Sequence, residues 1–233
     1  MCLIIVGVDE AGRGPVLGPM VVCAFAIEKD REDLLRDLGV KDSKLLSKSK
    51  RSQLKKQLER IGYVKKKILT ANEINTLMNK INLNEIEINA FSEVIMGLIN
   101  DLNLKDEYLE IYVDACSTNA KKFENELKNR IKDIENQKNL KIKVIAEHKA
   151  DLKYPIVSSA SIIAKADRDE IIEQYKKKYG EIGSGYPSDP KTIKFLEKYF
   201  EEYGSLPNIA RVHWKTCKRI LDRSKQTTLK LDL

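Results

Sequence analysis

The sequence predicts an α/β fold with a mixed β-sheet and a C-terminal helical extension, on three observations. Two continuous apolar runs, 3–8 and 20–27, flank a turn rich in glycine and proline, so the first two strands should pair antiparallel. From about residue 104 onward, strand-like segments alternate with amphipathic helices, the pattern of parallel strands joined by crossover helices. After Gly180, a loop rich in glycine and proline is followed by helices alone.

Local patterning places each element in turn. We predict strands at 3–8, 20–27, 63–69, 108–114 and 141–147, and helices at 47–60, 84–98, 119–134, 155–179, 190–203 and 212–224. Ser47 is suited to cap the first of these helices, and Pro155 suits the first turn of the longest. The chain is thereby divided into a core at 1–179, a helical extension at 180–225 and a flexible tail at 226–233.

Positive charge is concentrated in two segments of a chain whose net charge is +7. Residues 41–67 carry a local balance of +9 and residues 211–225 one of +5, so the rest of the chain is mildly acidic. Two basic patches on an acidic body are typical of a protein that binds nucleic acid. A solvated, lysine-rich helix face is the alternative interpretation. Aromatic residues are sparse in both segments, which favours contacts with the phosphates of a duplex over stacking on single-stranded bases.

Several classes of protein are excluded by the sequence. The apolar run 3–6 is too short to cross a bilayer and has no basic flank, so neither a membrane helix nor a secretory signal is predicted. The four cysteines are far apart and form no CxxC pair, which argues against a zinc ribbon and a disulfide framework. We therefore expect a cytoplasmic protein that does not contact a membrane, and we expect it to be a monomer.

Four acidic residues follow apolar strands, where an isolated carboxylate would be costly to bury. Asp9 and Glu10 follow the first strand, and Asp114 and Asp151 follow the last two. Because ligands gather beyond the carboxyl ends of parallel strands, these side chains should converge. Adjacent residues on a regular strand point to opposite faces, so we expect the glycine-rich turn to break the strand and free Glu10 from that constraint. Solvated strand ends or helix caps are the alternative interpretation of any single acid.

Carboxylate oxygens are hard ligands that select Mg²⁺ or Mn²⁺, ions that stabilise the attacking and leaving oxygens of phosphoryl transfer. Other chemistries find less support in the sequence. It contains no GxxxxGK[ST] phosphate loop, no GxGxxG dinucleotide motif and no GxSxG serine elbow. His148 and His213 have no second histidine at ligand spacing, which argues against a histidine-rich zinc site.

The segment 7–15, with the sequence GVDEAGRGP, strongly resembles the opening motif of type 2 ribonucleases H, the ribonuclease HII family. Further matching blocks follow in order: DSK at 42–44, YVD at 112–114, EHKAD at 147–151, SASIIAK at 159–165, RD at 168–169, GY at 185–186 and HWKT at 213–216. Together these blocks span roughly residues 3–217, and the last one resembles the archaeal branch of the family.

This resemblance implies a ribonuclease H-like fold, with a five-stranded mixed sheet flanked by helices and a C-terminal helical extension. It also implies a divalent-metal-dependent endoribonuclease that acts on RNA–DNA hybrids and on ribonucleotides embedded in duplex DNA. The family hydrolyses the phosphodiester on the 5′ side of the ribonucleotide and leaves 3′-hydroxyl and 5′-phosphate ends. By motif, the metal-binding and catalytic residues would be Asp9, Glu10, Asp114 and Asp151.

The resemblance assigns six further residues to substrate binding: Gly12, Arg13, Gly14, Lys44, Lys165 and Tyr186. The turn formed by the first three would read the ribose 2′-hydroxyl, the group that distinguishes RNA from DNA sugars. Glycines suit this role because they let the backbone approach a sugar closely. Tyr186 would pack on the neighbouring deoxyribose, and the two lysines would contact phosphates.

Two other functions remain as alternatives. The chain could be another nuclease with a ribonuclease H fold, such as a resolvase, which would share the carboxylates but not the ribose-reading turn. It could also be a non-catalytic protein that binds duplexes and uses its acids structurally. Cleavage of a duplex that contains one ribonucleotide, with and without a chelator, separates the three functions.

The end of the chain, QTTLKLDL at 226–233, resembles the motif by which replication and repair enzymes bind the sliding clamp. Gln226 is followed three residues later by the aliphatic Leu229, and the chain ends in a hydrophobic residue. Asp232 and Leu233 stand where that motif usually has aromatic residues, so the buried area and the affinity should be small. A plain disordered end is the alternative.

Overall fold

The computed structural model describes the backbone of residues 3–40, 46–117 and 119–231, and side chains within these segments as far as Arg223. The chain divides into two compact units and passes between them several times. The first unit contains the described residues of Met1–Ala11, Val21–Ile68 and Leu83–Asp169. The second contains the described residues of Gly12–Met20, Leu69–Asn82 and Glu170–Leu233. The predicted core at 1–179 therefore includes three segments that belong to the second unit.

One mixed sheet contains the five strands found in the described residues, in the order β3-β2-β1-β4-β5. The strands are β1 (Leu3–Ala11), β2 (Met20–Glu28), β3 (Tyr63–Leu69), β4 (Tyr108–Asp114) and β5 (Lys141–Glu147). β1 pairs antiparallel with β2 and parallel with β4, and β4 pairs parallel with β5. The predicted mixed sheet, with its antiparallel opening and its parallel strands, is thereby confirmed.

The described helices are α1 (Asp33–Asp37), α2 (Lys48–Ile61), α3 (Ala71–Met78), α4 (Leu83–Asp101), α5 (Ala120–Gln137), α6 (Ala150–Lys153), α7 (Pro155–Tyr179), α8 (Pro190–Tyr203) and α9 (Lys215–Leu231). Ser47 caps α2 as predicted, with its hydroxyl accepting a hydrogen bond from the Lys50 amide at 3.2 Å. The hydrophobic pattern does not predict α3, although Thr70 and Glu73 form a reciprocal capping box at its start. In the described part of the chain, none of these helices is long and apolar enough to cross a membrane.

Helix α7 begins directly against the central strand β1. A Cβ atom at Gly7 would lie 2.1 Å from the carbonyl oxygen of Ile156, so no residue larger than glycine fits there. Helix α7 itself has small, buried side chains near its start, at Ser159 and Ala160. The close approach fixes the first turns of α7 against the strand that carries Asp9 and Glu10.

Helix α9 starts and ends later than the predicted helix at 212–224. Its backbone stays helical through Leu231, so most of the segment that we expected to be a flexible tail continues the helix. The reason is visible in the sequence, because no glycine or proline follows residue 224 to end the helix. The side chains beyond Arg223, including those of the predicted clamp motif, lie outside the described residues.

The second unit has a hydrophobic core of its own. Val16 and Leu17, from the turn after β1, pack with Leu196 of α8 and Cys217 of α9. The amides of Val16 and Leu17 both donate to the carbonyl of Gly185, at 2.8 and 3.1 Å. These contacts explain why residues 12–20 belong to this unit although they are distant from its other segments in the sequence.

Candidate active site

Three of the four predicted acids come together in the first unit. One carboxylate oxygen from each of Asp9, Asp114 and Asp151 lies within 4.8 Å of the other two. Asp9 is on β1 and Asp114 ends β4, and these strands are parallel neighbours in which Val8 pairs with Val113. Asp151 follows β5 in the short helix α6, whose preceding residue Lys149 has a left-handed backbone with φ of 55°. The strand order thus places all three acids at one edge of the sheet.

Glu10 lies in the strand, contrary to the expected break. β1 continues to Ala11, and Glu10 still pairs with Val22 of β2. Its carboxylate belongs to an adjoining group with Glu87 of α4 and Cys116, in which the ligand atoms also lie within 4.8 Å of one another. The two groups are connected, because Asp9 and Glu10 share a side-chain hydrogen bond and the Glu10 amide donates to Asp9 Oδ1 at 2.7 Å.

Burial and mutual repulsion raise the pKa values of these acids. Burial raises the pKa of Asp9 well above its ordinary value, and the charge of Glu10 adds to this effect. Burial and the charge of Glu87 raise the pKa of Glu10. Burial and the charges of Asp9 and Asp151 raise the pKa of Asp114 to about 7. Crowded acids of this kind are stabilised in their ionised form by a bound cation.

Cys116 and Glu87 are residues of the site that the sequence analysis did not find. The Cys116 thiol donates to Glu10 Oε2 at 3.1 Å, and it lies two residues beyond Asp114. Glu87 is completely buried, between the buried residues Ile86 and Ile88 of α4. An acid inside the apolar part of a helix is a visible signal in the sequence. Only the packing of α4 shows that this acid lies beside Glu10.

The predicted ribose-reading turn lies in the second unit and is held by two side chains from the segment before α9. The Arg211 guanidinium, which is completely buried, donates to the carbonyls of Arg13 at 3.1 Å and Gly18 at 2.9 Å. The Trp214 indole N–H donates to the Gly14 carbonyl at 3.0 Å. Gly12 begins the turn with φ of 98°, a conformation that favours glycine.

Tyr186 lies beside this turn. A Cβ atom at Gly14 would lie 3.7 Å from the Tyr186 ring, and the tyrosine is 45% exposed. Lys165, on α7 in the first unit, is half-buried and close enough to Asp9 for its charge to lower the pKa of that acid, against the larger effect of burial. Lys44 lies outside the described residues.

The basic segment 41–67 is less available to an outside partner than its charge suggests. Arg51 of α2 binds Asp169 at 2.6 Å, and Lys66 of β3 binds Asp167 at 2.8 Å. Lys55 forms an ion pair with the same Asp167. Lys50, Lys56 and Arg60 of α2 are exposed. Part of the predicted phosphate-binding patch therefore stabilises the first unit internally.

A mixed five-stranded sheet with carboxylates at the ends of adjacent strands defines the class: a nuclease with a ribonuclease H-like fold. The family model described as ribonuclease HII matches residues 6–217 of this chain. The ribonuclease HII of Methanocaldococcus jannaschii is 71% identical over 227 residues, which cover 97% of this chain and 99% of the relative.

Solved structures agree with this match. The crystal structure of ribonuclease H2 from Pyrococcus horikoshii has a TM-score of 0.83 and 42% identity, and covers 94% of this chain and 98% of its own. A structure of the PCNA–ribonuclease HII complex from Archaeoglobus fulgidus has a TM-score of 0.77 and 37% identity, and covers 91% of this chain and 95% of that one. The chain belongs to the ribonuclease HII family and is a hydrolytic endoribonuclease.

Proposed function

We propose that Asp9, Glu10, Asp114 and Asp151 bind Mg²⁺ or Mn²⁺ and hydrolyse the phosphodiester 5′ of a ribonucleotide in an RNA–DNA hybrid or in duplex DNA. The observation that carries this proposal is the trio of buried and half-buried aspartates whose oxygens lie within 4.8 Å of one another. Three carboxylates at this separation offer the hard oxygen ligands that these ions prefer. A bound divalent ion would polarise the phosphate and activate the attacking water.

The protein holds the ligands in place before substrate arrives. Asp9 and Asp151 are each only 3% exposed, so packing restricts their rotamers. The Ala150 amide donates to Asp114 Oδ1 at 3.3 Å, which connects the end of β4 to the start of α6. One carboxylate oxygen of Glu10 accepts a hydrogen bond from the Cys116 thiol. Asp114 is only half-buried, so a phosphate and a water would reach the cluster from its side.

Substrate choice would come from the turn at Gly12–Gly14, which starts three residues after Asp9 in the sequence. Hydrogen bonds from Arg211 and Trp214 hold the carbonyls of Arg13 and Gly14, which restrains the turn. A rigid backbone turn can distinguish a ribose 2′-hydroxyl from a hydrogen by direct contact. Tyr186, against Gly14, would pack on the next sugar, and Lys44 and Lys165 would contact phosphates.

The decisive experiment uses a duplex that contains one ribonucleotide and an all-DNA duplex of the same sequence. Asp9→Asn should reduce cleavage of the first duplex at least about 100-fold, since even residues that only support metal ligands contribute about 10–100-fold. Asp133→Asn, which removes an exposed acid of α5, is the matched control and should cleave normally. A chelator should abolish cleavage by the unaltered protein.

Each alternative function gives a different result. Equal cleavage of the all-DNA duplex would favour a resolvase-like nuclease and remove the ribose-reading role of the turn. Duplex binding without cleavage under any metal condition would leave a non-catalytic binding protein. Normal turnover by Asp9→Asn would contradict the assignment of the metal site.

We further propose that the C-terminal tail binds the sliding clamp. Two observations support this partner: the Gln226 and Leu229 spacing, and the complex that the related ribonuclease HII of Archaeoglobus fulgidus forms with PCNA. The acidic Asp232 near the end predicts a weak contact.

A further inference from the structure

A groove in the second unit is lined by aromatic rings and lysines that the nuclease chemistry does not use. It lies between the C-terminal turn of α7 and helix α8, and its volume is about 630 Å³. Four aromatic residues line it: Tyr179, Phe195, Tyr199 and Tyr203. We call this feature the aromatic groove.

The rings of the aromatic groove form a continuous row. Phe195, Tyr199 and Tyr203 are four residues apart and therefore share one face of α8. The ring centroids of Phe195 and Tyr199 are 5.9 Å apart, and those of Tyr199 and Tyr203 are 4.5 Å apart. Tyr179 of α7 adds a fourth ring, 6.1 Å from Phe195 and 6.2 Å from Tyr199. Tyr203, at the end of the row, is 59% exposed, so one end of the row is open to solvent.

The hydrophobic core accounts for only part of this row. Leu196 is the completely buried residue of α8 in the core cluster of the second unit, and Tyr179 and Phe195 pack against that cluster. Tyr199 and Tyr203 are outside the cluster and the residues packed against it. Their rings are therefore apolar surface in excess of what the core needs.

The residues that line the groove carry more positive than negative charge, and one of the acids, Glu202, shares a side-chain hydrogen bond with Tyr203. Four lysines and two glutamates line the groove: Lys178, Lys191, Lys194, Lys198, Glu181 and Glu202. Lys191 is 3.5 Å from Glu181, and the Lys178 ammonium is 5.2 Å from the centre of the Tyr179 ring. Lys194 and Lys198 are exposed and four residues apart, so they form a cationic edge along α8 beside the rings.

We propose that the aromatic groove binds single-stranded nucleic acid, with bases stacked on Tyr199 and Tyr203 and phosphates at Lys194 and Lys198. Aromatic rings next to cations are the combination with which proteins bind unpaired strands, because every base has a face that can stack. A duplex offers only its phosphates to such a surface, since its bases are already stacked on each other. This site goes beyond the proposed function, because it takes a different form of nucleic acid and uses none of the carboxylates.

The experiment measures the binding of full-length protein to a fluorescent oligothymidylate of about 15 nucleotides by anisotropy. Tyr203→Ala should weaken binding about fivefold or more, the loss of one base-stacking contact. Tyr63→Ala is the matched control, because Tyr63 is 57% exposed and lies on β3 in the first unit. It should bind as the unaltered protein does. Thermal unfolding of each variant checks that it is folded.

Two further comparisons separate stacking from charge. An abasic oligonucleotide of equal length should bind Tyr203→Ala and the unaltered protein equally, because it has phosphates but no bases. The double variant Lys194→Ala/Lys198→Ala should lower the slope of log affinity against log salt by about 1.4, or about 0.7 per phosphate contact. Lys132→Ala, at an exposed position of α5, should leave the slope unchanged.

Three results would overturn the proposal. The first is equal oligothymidylate affinity for the unaltered protein, Tyr203→Ala and the double lysine variant. The second is a loss in Tyr203→Ala that is equally large with the abasic strand. The third is a self-association of the protein that Tyr203→Ala abolishes while strand binding is unchanged, which would assign the groove to a second copy of the chain. Cleavage of the ribonucleotide duplex by the unaltered protein is measured separately and tests only the proposed function.

Discussion

At Asp114, burial and the charges of Asp9 and Asp151 raise the pKa from an ordinary value of 3.8 to about 7. Between these two values the native state binds a proton that the unfolded chain has released. The stability of the metal-free protein should therefore fall as the pH rises from about 4 to about 7, and stay low above that range.

Asp114→Asn removes this titrating group and therefore tests whether the charge of Asp114 destabilises the metal-free protein. In excess chelator, the variant should be more stable than the unaltered protein at pH 8 by on the order of 1–2 kcal/mol, with a smaller difference at pH 5. The full shift from 3.8 to about 7 would correspond to roughly 4 kcal/mol at about 1.36 kcal/mol per unit, and we expect less because the carboxyl is partly solvated. Urea unfolding at both pH values measures it. A variant less stable than its parent at pH 8 would show that Asp114 contributes more through its hydrogen bonds than it costs through its charge.

Cys116 positions the Glu10 carboxylate through a single hydrogen bond. Cys116→Ala removes the donor to Glu10 Oε2 and should reduce kcat about tenfold, the range expected for a hydrogen bond to a charged group. Cys116→Ser keeps a donor and should recover most of the loss. Single-turnover cleavage of the ribonucleotide duplex separates this effect from substrate binding. Equal rates for both variants and the unaltered protein would assign the thiol a packing role only.

The sequence showed which acids stand out but not all of their neighbours. Asp9, Asp114 and Asp151 were predictable because each follows an apolar strand, and parallel strands end at one edge of a sheet. Glu10 did not leave its strand, since its backbone remains paired with β2. Glu87 was missed because its proximity to Glu10 depends on how α4 packs, which hydrophobic periodicity does not specify. Cys116 was missed because it lies beyond the end of β4, where no periodic pattern gives the direction of a side chain.

Helix α2 and strand β3 show how the cations of one charged segment divide between internal and external roles. The cations that pair with acids of α4 and α7 connect these elements within the first unit. These include Lys65 and Lys67 of β3, which bind Asp101 and Glu93 of α4. The exposed cations of α2 remain to contact a phosphate backbone. Net charge in the sequence cannot distinguish these two sets, because the acids that pair with the cations are distant in the chain.

Duplex binding can separate the two sets. Changing Lys50, Lys56 and Arg60 together to Ala should lower the slope of log affinity against log salt by up to about three, or about one per phosphate contact. Changing Lys65 and Lys67 to Ala should leave this slope nearly unchanged, because their partners are acids of the protein. Binding of a duplex by the catalytically impaired Asp9→Asn form, over a range of salt concentrations, gives the slopes. An unchanged slope in the triple variant would show that these three cations of α2 face solvent and do not contact phosphates.

Strongly patterned elements were predicted well, whereas helix α3 and the end of α9 were not. The strands β4 and β5 have the predicted bounds, because turn residues interrupt the apolar pattern on both sides. Helix α3 was not predicted because it spans only two turns, and the capping box was its clearest signal in the sequence. The end of α9 was placed too early because loss of apolar periodicity does not by itself stop a helix.

For the whole molecule, the order of segments in the chain does not reveal the units that they form. Residues 12–20 belong to the second unit because Arg211 binds the carbonyls of Arg13 and Gly18, nearly two hundred residues away in the sequence. The family resemblance assigned roles to residues of both units by motif, without any information on their packing. The predicted boundary at residue 179 follows composition, whereas the units follow contacts.

The proposed contact with the sliding clamp depends on the segment 226–233. Titration of the clamp of the same organism should show weak binding to the full chain and at least tenfold weaker binding to a chain that ends at Lys225. A tenfold change corresponds to about 1.4 kcal/mol, which the burial of one aliphatic side chain can supply. Leu229→Ala should reproduce most of this loss, whereas Lys230→Ala, a neighbouring charged position, should not. Both shortened and full chains should cleave the ribonucleotide duplex at similar rates. If all four proteins bind the clamp equally, or none binds it, the tail has no part in clamp binding, and the assignment of the carboxylates is unaffected.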